Sequence, residues 1–123
     1  QGGGSLGYSL LLENGVPTFL TRNRGQLAKV VGKKIDASDW THLAVILDAD
    51  GVAQIYVNGE ANGQAKKVGL ISGRPADGLT FGGDGSNLVG NYPAKNGVIG
   101  SLKDIRLYWG VLRPKALKQW VAQ

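Results

Sequence analysis

The sequence predicts an all-β domain, a two-sheet antiparallel sandwich with one short C-terminal helix. Three observations predict it. Short runs rich in β-branched and aromatic residues recur along the 123 residues, each bounded by Gly, Asn or Asp. The 20 glycines are about twice the usual share, are not periodic, and fall between those runs, as tight turns require. Apolar residues at helical spacing occur in one place, the C-terminal end.

Gly7 to Leu12 reads as a strand, Asn14-Gly15 as a turn, and Val16 to Arg22 as the returning strand. Pro17 suits an edge or a first strand position. Asn23-Arg24-Gly25 turns the chain again into Gln26 to Val31, giving a three-strand meander. A polar connection, Ile35 to Asp39, leads into Trp40. Leu43 to Leu47 is wholly apolar, which predicts a central strand covered on both faces. Asp48-Ala49-Asp50-Gly51 reverses the chain into Val52 to Val57, and Asn58-Gly59 is the strongest dipeptide signal for a hairpin of the primed type. Glu60 to Lys67 reads as a poor, exposed strand or loop, and Val68 to Ile71 as a short apolar run. Leu79 to Gly82 is a predicted short strand, and 83–97 a long polar loop. Val98 to Tyr108 is the predicted last strand, with Ile105 and Leu107 on one face and Asp104, Arg106 and Tyr108 on the other. Pro114 suits the first helical position, and Ala116, Leu117, Trp120 and Val121 recur at helical spacing.

The length predicts a single domain over 1–123, able to bury a core without cross-links, and there is no cysteine. No apolar run approaches the ~20 residues of a membrane span, so no membrane partner is expected. The chain opens Gln1-Gly2-Gly3 without methionine, which suggests a piece cut from something longer. The net charge of +5 is scattered over solvated positions and can favour anionic partners such as sulfated or uronic polysaccharides. Nucleic acid is not expected, because no basic-aromatic strand pattern accompanies the charge.

Three pieces of the sequence resemble one known family. They are Trp40-Thr41-His42-Leu43-Ala44-Val45, the hairpin Ile55-Tyr56-Val57-Asn58-Gly59, and Gly100-Ser101-Leu102-Lys103-Asp104-Ile105-Arg106-Leu107-Tyr108 followed by Val111-Leu112 and the helix. In order and spacing they resemble the concanavalin A-like lectin/glucanase superfamily, in its laminin-G-like branch of bacterial multidomain proteins. The resemblance runs from about Gly7 to Gln123 and implies a jelly-roll sandwich. The pairing of Gly7-Tyr8-Ser9-Leu10 with Asn14-Gly15 and Pro17 is similar to modules attached to sulfatases. Two departures stand out. Lys103 occupies a position that is commonly acidic in the family, and the family's first strands, upstream of Gln1, are missing.

Catalysis is not expected. The superfamily's glucanases carry closely spaced glutamates on one strand, whereas Glu13 and Glu60 each stand alone beside a predicted turn. His42, the single histidine, reads as a packed structural side chain, as does Trp40. A hairpin turn accounts for Asp48 and Asp50 without a metal. Relatives often bind calcium in rim loops, so the resemblance makes Asp84 in 83–87 the candidate ligand for calcium, the one cofactor considered. Sugar recognition needs an aromatic face beside amides and charges. Tyr92 in the long loop, with Asn87, Asn91 and Asn96 and with Asp84 alongside, fits that need, and Trp109 is a further candidate contact; Trp120 reads as docking the helix.

These readings converge on a non-catalytic module of a larger exported protein, extracellular or periplasmic. It would bind carbohydrate or present substrate to an attached enzyme such as a sulfatase. The alternative is a structural or protein–protein interaction module that packs on neighbouring domains or forms a homo-oligomer.

Overall fold

The computed structural model describes residues 2–3, 5–83, 88–92 and 97–122. Among the described residues, two antiparallel sheets and one short helix form the architecture. The first sheet is a meander of β1 (Gly7–Glu13), β2 (Val16–Asn23) and β3 (Gln26–Val31), in that order. The second contains β4 (Leu43–Leu47), β5 (Val52–Val57) and two short exposed strands, β6 (Glu60–Ala61) and β7 (Lys66–Lys67), both paired to β5. The helix α1 spans Pro114–Val121 with Pro at its start.

The turns set the registers. Asn14-Gly15, Arg24-Gly25 and Asn58-Gly59 all have positive φ at both positions, so each closes a two-residue hairpin whose twist matches its strands. The β4–β5 connection is built on Asp48, whose Oδ1 accepts hydrogen bonds from the backbone N–H of Asp50 and Val52, both at 2.9 Å. Gly51 completes this turn at φ +77°, and a Cβ there would lie 2.8 Å from the Cα of Gly69. Only glycine satisfies both conditions.

Strand alternation then decides what faces what. Tyr8, Phe19, Ala28 and Val30 point from the first sheet toward the second, where Leu43, Val45, Leu47, Ala53, Ile55 and Val57 meet them. Phe19, Val30, Ala53, Ile55 and Val68 are buried at the centre of this layer. One polar link crosses it: the buried Thr21 hydroxyl donates to the Val68 carbonyl at 2.9 Å. A buried hydroxyl without such a partner would cost about 1–3 kcal/mol.

Four sequence expectations are corrected. Leu43–Leu47 is half-buried along its length, not covered on both faces. It is an edge strand whose only described partner is β5, so its outer side lacks the cover a central strand has. Trp40 is 61% exposed rather than core, because it precedes the strand and its ring lies beneath the Lys103 ammonium, 4.4 Å away. Leu79–Gly82 joins no ladder with a described residue; the nearest described pairing is a single bridge between Gly83 and Gly97. Val98–Tyr108 is not a strand either, since 99–112 makes no backbone hydrogen bond to a described residue. A strand exists only where a neighbour accepts its backbone groups. The helix and the first five strands agree with expectation to within a residue or two. Trp120 docks as expected, its ring stacked on Tyr108 with centroids 5.3 Å apart.

The core carries a quantitative expectation. Ile55→Ala should lower the free energy of unfolding by about 2–5 kcal/mol in urea titrations, through lost burial and the cavity left behind. Gly51→Ala should also destabilise, by more than the ~1 kcal/mol of an ordinary glycine substitution, because strain and contact act together.

Candidate binding cleft

The candidate site among the described residues lies on the outer face of the first sheet. Ser9, Leu20 and Lys29 lie side by side across the three strands, and Gly7, Arg22 and Leu27 form the next row. Segment 88–92 crosses this face. Leu20, Val89 and Tyr92 form a second buried cluster there, flanked by Leu11 and Leu88. Gly90 permits the close approach, since a Cβ would come within 2.7 Å of Leu20 Cδ2.

Polar contacts hold the segment in place. Arg22 Nε donates to the Val89 carbonyl at 2.7 Å. The Val89 N–H donates to the Tyr92 hydroxyl at 3.2 Å, and that hydroxyl lies 3.5 Å from Ser9 Oγ. The charge-assisted Arg22 contact is the shortest of these and belongs to the stronger class of hydrogen bond.

Beside the segment opens a cleft of about 220 Å³ lined by Glu13, Leu20, Leu27, Lys29, Asn91 and Tyr92. Its floor is aliphatic and aromatic, and its polar groups are one carboxylate, one ammonium and one amide. Neither Glu13 nor Lys29 is ion-paired to a described residue. The volume is below the ~300–1,000 Å³ of pockets that enclose drug-sized ligands, so the cleft suits a single small ring or one unit of a chain.

The predicted site residues separate. Asn91 and Tyr92 both line the cleft, but Tyr92 is only 8% exposed, so most of its ring is spent on the cluster beneath. Trp109 is fully exposed and does not line the cleft. Asn87 and Asp84 lie outside the described residues, as does Asn96. Among the described residues no group of three His, Cys, Asp or Glu could hold a metal ion. Asp48 is engaged in its turn, and Glu60 is paired with Lys118. His42 is clamped through its backbone to Asn58, and its Nδ1 is buried without a hydrogen-bond partner among the described residues. Glu13, Leu20, Leu27 and Lys29 were missed by sequence reasoning. The spacing of Leu27 and Lys29 already places them on one face of a strand, but nothing in the sequence says which loop crosses that face.

The Val89–Tyr92 bond is open to direct measurement. Tyr92→Phe should speed hydrogen exchange at the Val89 amide and lower stability by about 1 kcal/mol, while Arg22→Met should speed exchange through 88–92 with the sandwich core unchanged.

Comparison with known proteins agrees with this architecture. A family model, Laminin_G_3, described as the concanavalin A-like lectin/glucanases superfamily, matches residues 1–118. No curated protein was found to match the chain. One similar solved structure is the S-layer domain-containing protein (residues 221–444) from Clostridium thermocellum, at 19% identity and a TM-score of 0.56. The match covers 96% of this chain and 64% of that one, a likeness of fold. With a family model spanning nearly its whole length, the chain belongs to the concanavalin A-like lectin/glucanases superfamily.

Proposed function

We propose that this chain is a non-catalytic carbohydrate-binding or substrate-presenting module of a larger exported protein, and that its ligand site is the cleft on the outer face of the first sheet. The observation that carries the reading is the lining itself. Leu27 offers an apolar surface to one side of a sugar ring, backed by the small exposed parts of Leu20 and Tyr92. Asn91, Glu13 and Lys29 offer donors and acceptors for its hydroxyls and for an acidic substituent. The Lys29 ammonium, without an ion-pair partner among the described residues, and the net charge of +5 favour a uronic or sulfated unit over a neutral one. A setting beside a polysaccharide-processing enzyme such as a sulfatase fits that chemistry. The S-layer name of the similar structure supports a place at the cell surface. Among the described residues no helix is long and apolar enough to cross a membrane. Calcium enters the proposal only through Asp84, outside the described residues.

A structural or interaction role is the second reading. It is favoured by the run of exposed apolar side chains from Val98 to Val111.

A glycan array of neutral, uronic and sulfated oligosaccharides, with and without calcium, tests the first reading. Binding of acidic glycans is expected. Lys29→Ala and Asn91→Ala should each weaken it about tenfold, equivalent to ~1.4 kcal/mol, with the fold intact by circular dichroism. Silence across the array, or binding indifferent to both substitutions, would remove the cleft from consideration.

A further inference from the structure

The segment 98–111 does not line the cleft and is rich in exposed large apolar side chains. Ile99 and Trp109 are fully exposed, and Leu107, Val111, Leu102 and Ile105 are each about half exposed or more. Its backbone donors and acceptors from 99 to 112 find no described partner. Exposed apolar side chains in a continuous run mark interaction surfaces, and a segment with unpaired backbone groups can pair with another strand once it extends.

The order of residues says which strand would fit. Ile99, Ile105, Leu107, Trp109 and Val111 are all odd-numbered, so in an extended chain they share one face, together with Ser101 and Lys103. Leu102, Asp104, Arg106 and Tyr108 share the other, with the opposite charges of Asp104 and Arg106 placed symmetrically about Ile105. Within one chain these two are joined by a bidentate contact at 2.8 and 3.0 Å. Its hydrogen bonds with the Asp104 carboxylate first, then with Tyr108, raise the Arg106 guanidinium above its ordinary value, so it stays charged. The chain is +5 overall, but 98–111 holds only Lys103, Asp104 and Arg106, so like-charge repulsion is weak there.

We propose that 101–109 pairs antiparallel with the same segment of a second copy of this chain, around a two-fold axis through Ile105. Each Asp104 then faces the partner subunit's Arg106, and Ile105 meets its own symmetry mate. The odd-numbered apolar residues of both copies gather on one face of the ribbon. Such an isologous contact closes on itself as a dimer. Asp104 has φ +55° in the unpaired chain and must move to the extended region when the ladder forms. Cross-strand apolar pairs and ion pairs favour the paired state.

Sedimentation equilibrium of the 123-residue chain from micromolar to sub-millimolar concentration tests this. A monomer–dimer equilibrium is expected, with hydrogen exchange at 101–109 slowing as dimer forms. Ile105→Lys should weaken dimerisation at least tenfold without changing the melting temperature, because the side chain is half exposed in the monomer. Asp104→Arg and Arg106→Asp should each weaken it, since like charges then meet, and mixing the two variants should restore association as a heterodimer. A chain monomeric throughout the range overturns the proposal, as does a dimer untouched by these substitutions. Concentration-independent protection of 101–109 also overturns it, by assigning the segment to a strand of its own polypeptide. None of these outcomes bears on sugar binding, so the two proposals stand or fall separately.

Discussion

Residues 17–21 are buried in unbroken succession, and both layers of the molecule depend on this. In a strand, neighbouring side chains point to opposite faces, so five buried residues in a row mean cover on both sides. Phe19 and Thr21 enter the space between the sheets, while Leu20 enters the cluster under 88–92. β2 can hold this position because it is the central strand of its sheet, with β1 and β3 supplying its backbone partners. Shifting its register by one residue would send Phe19 to the cleft side and Leu20 to the core, exchanging the two clusters.

This arrangement ties the candidate site to the stability of the sandwich. The cleft is a gap left beside 88–92, whose attachment depends on Leu20 and Arg22 from the same strand. Tyr92 illustrates the compromise. Its ring anchors the segment to the sheet, which limits the surface it can show a ligand. The polar groups that remain at the opening, from Glu13, Lys29 and Asn91, come from three different parts of the chain.

The opposite end of the chain behaves differently. The helix is fastened through Leu117, the Lys118–Glu60 ion pair and the stacking of Trp120 on Tyr108. Between Gly97 and the helix the chain is held mainly by side chains: Lys103 over Trp40, and Arg106 5.1 Å from the Trp120 ring centroid. Contacts of this exposed kind are worth about 0.5–1 kcal/mol each, far less than a ladder of backbone bonds and a buried face. The segment therefore retains the composition of a strand without the environment of one.

The amino-acid order by itself determined the local elements. Asn14-Gly15, Asn58-Gly59 and Asp48 to Gly51 close their turns through φ values and side-chain bonds that need no distant partner. The strands between them follow from short-range spacing, as does the helix at Pro114. Tertiary structure alone decided which strand lies deepest and where a cleft forms. Leu43–Leu47 is more uniformly apolar than Pro17–Thr21, yet the latter is the buried run, because depth depends on neighbours on both sides rather than on hydropathy. The two threonines are tolerated there through bonds to the carbonyls of Val16 and Val68. The partnership of Leu20 with Val89 and Tyr92 spans about seventy residues of chain. Local periodicity carries no information across such a separation.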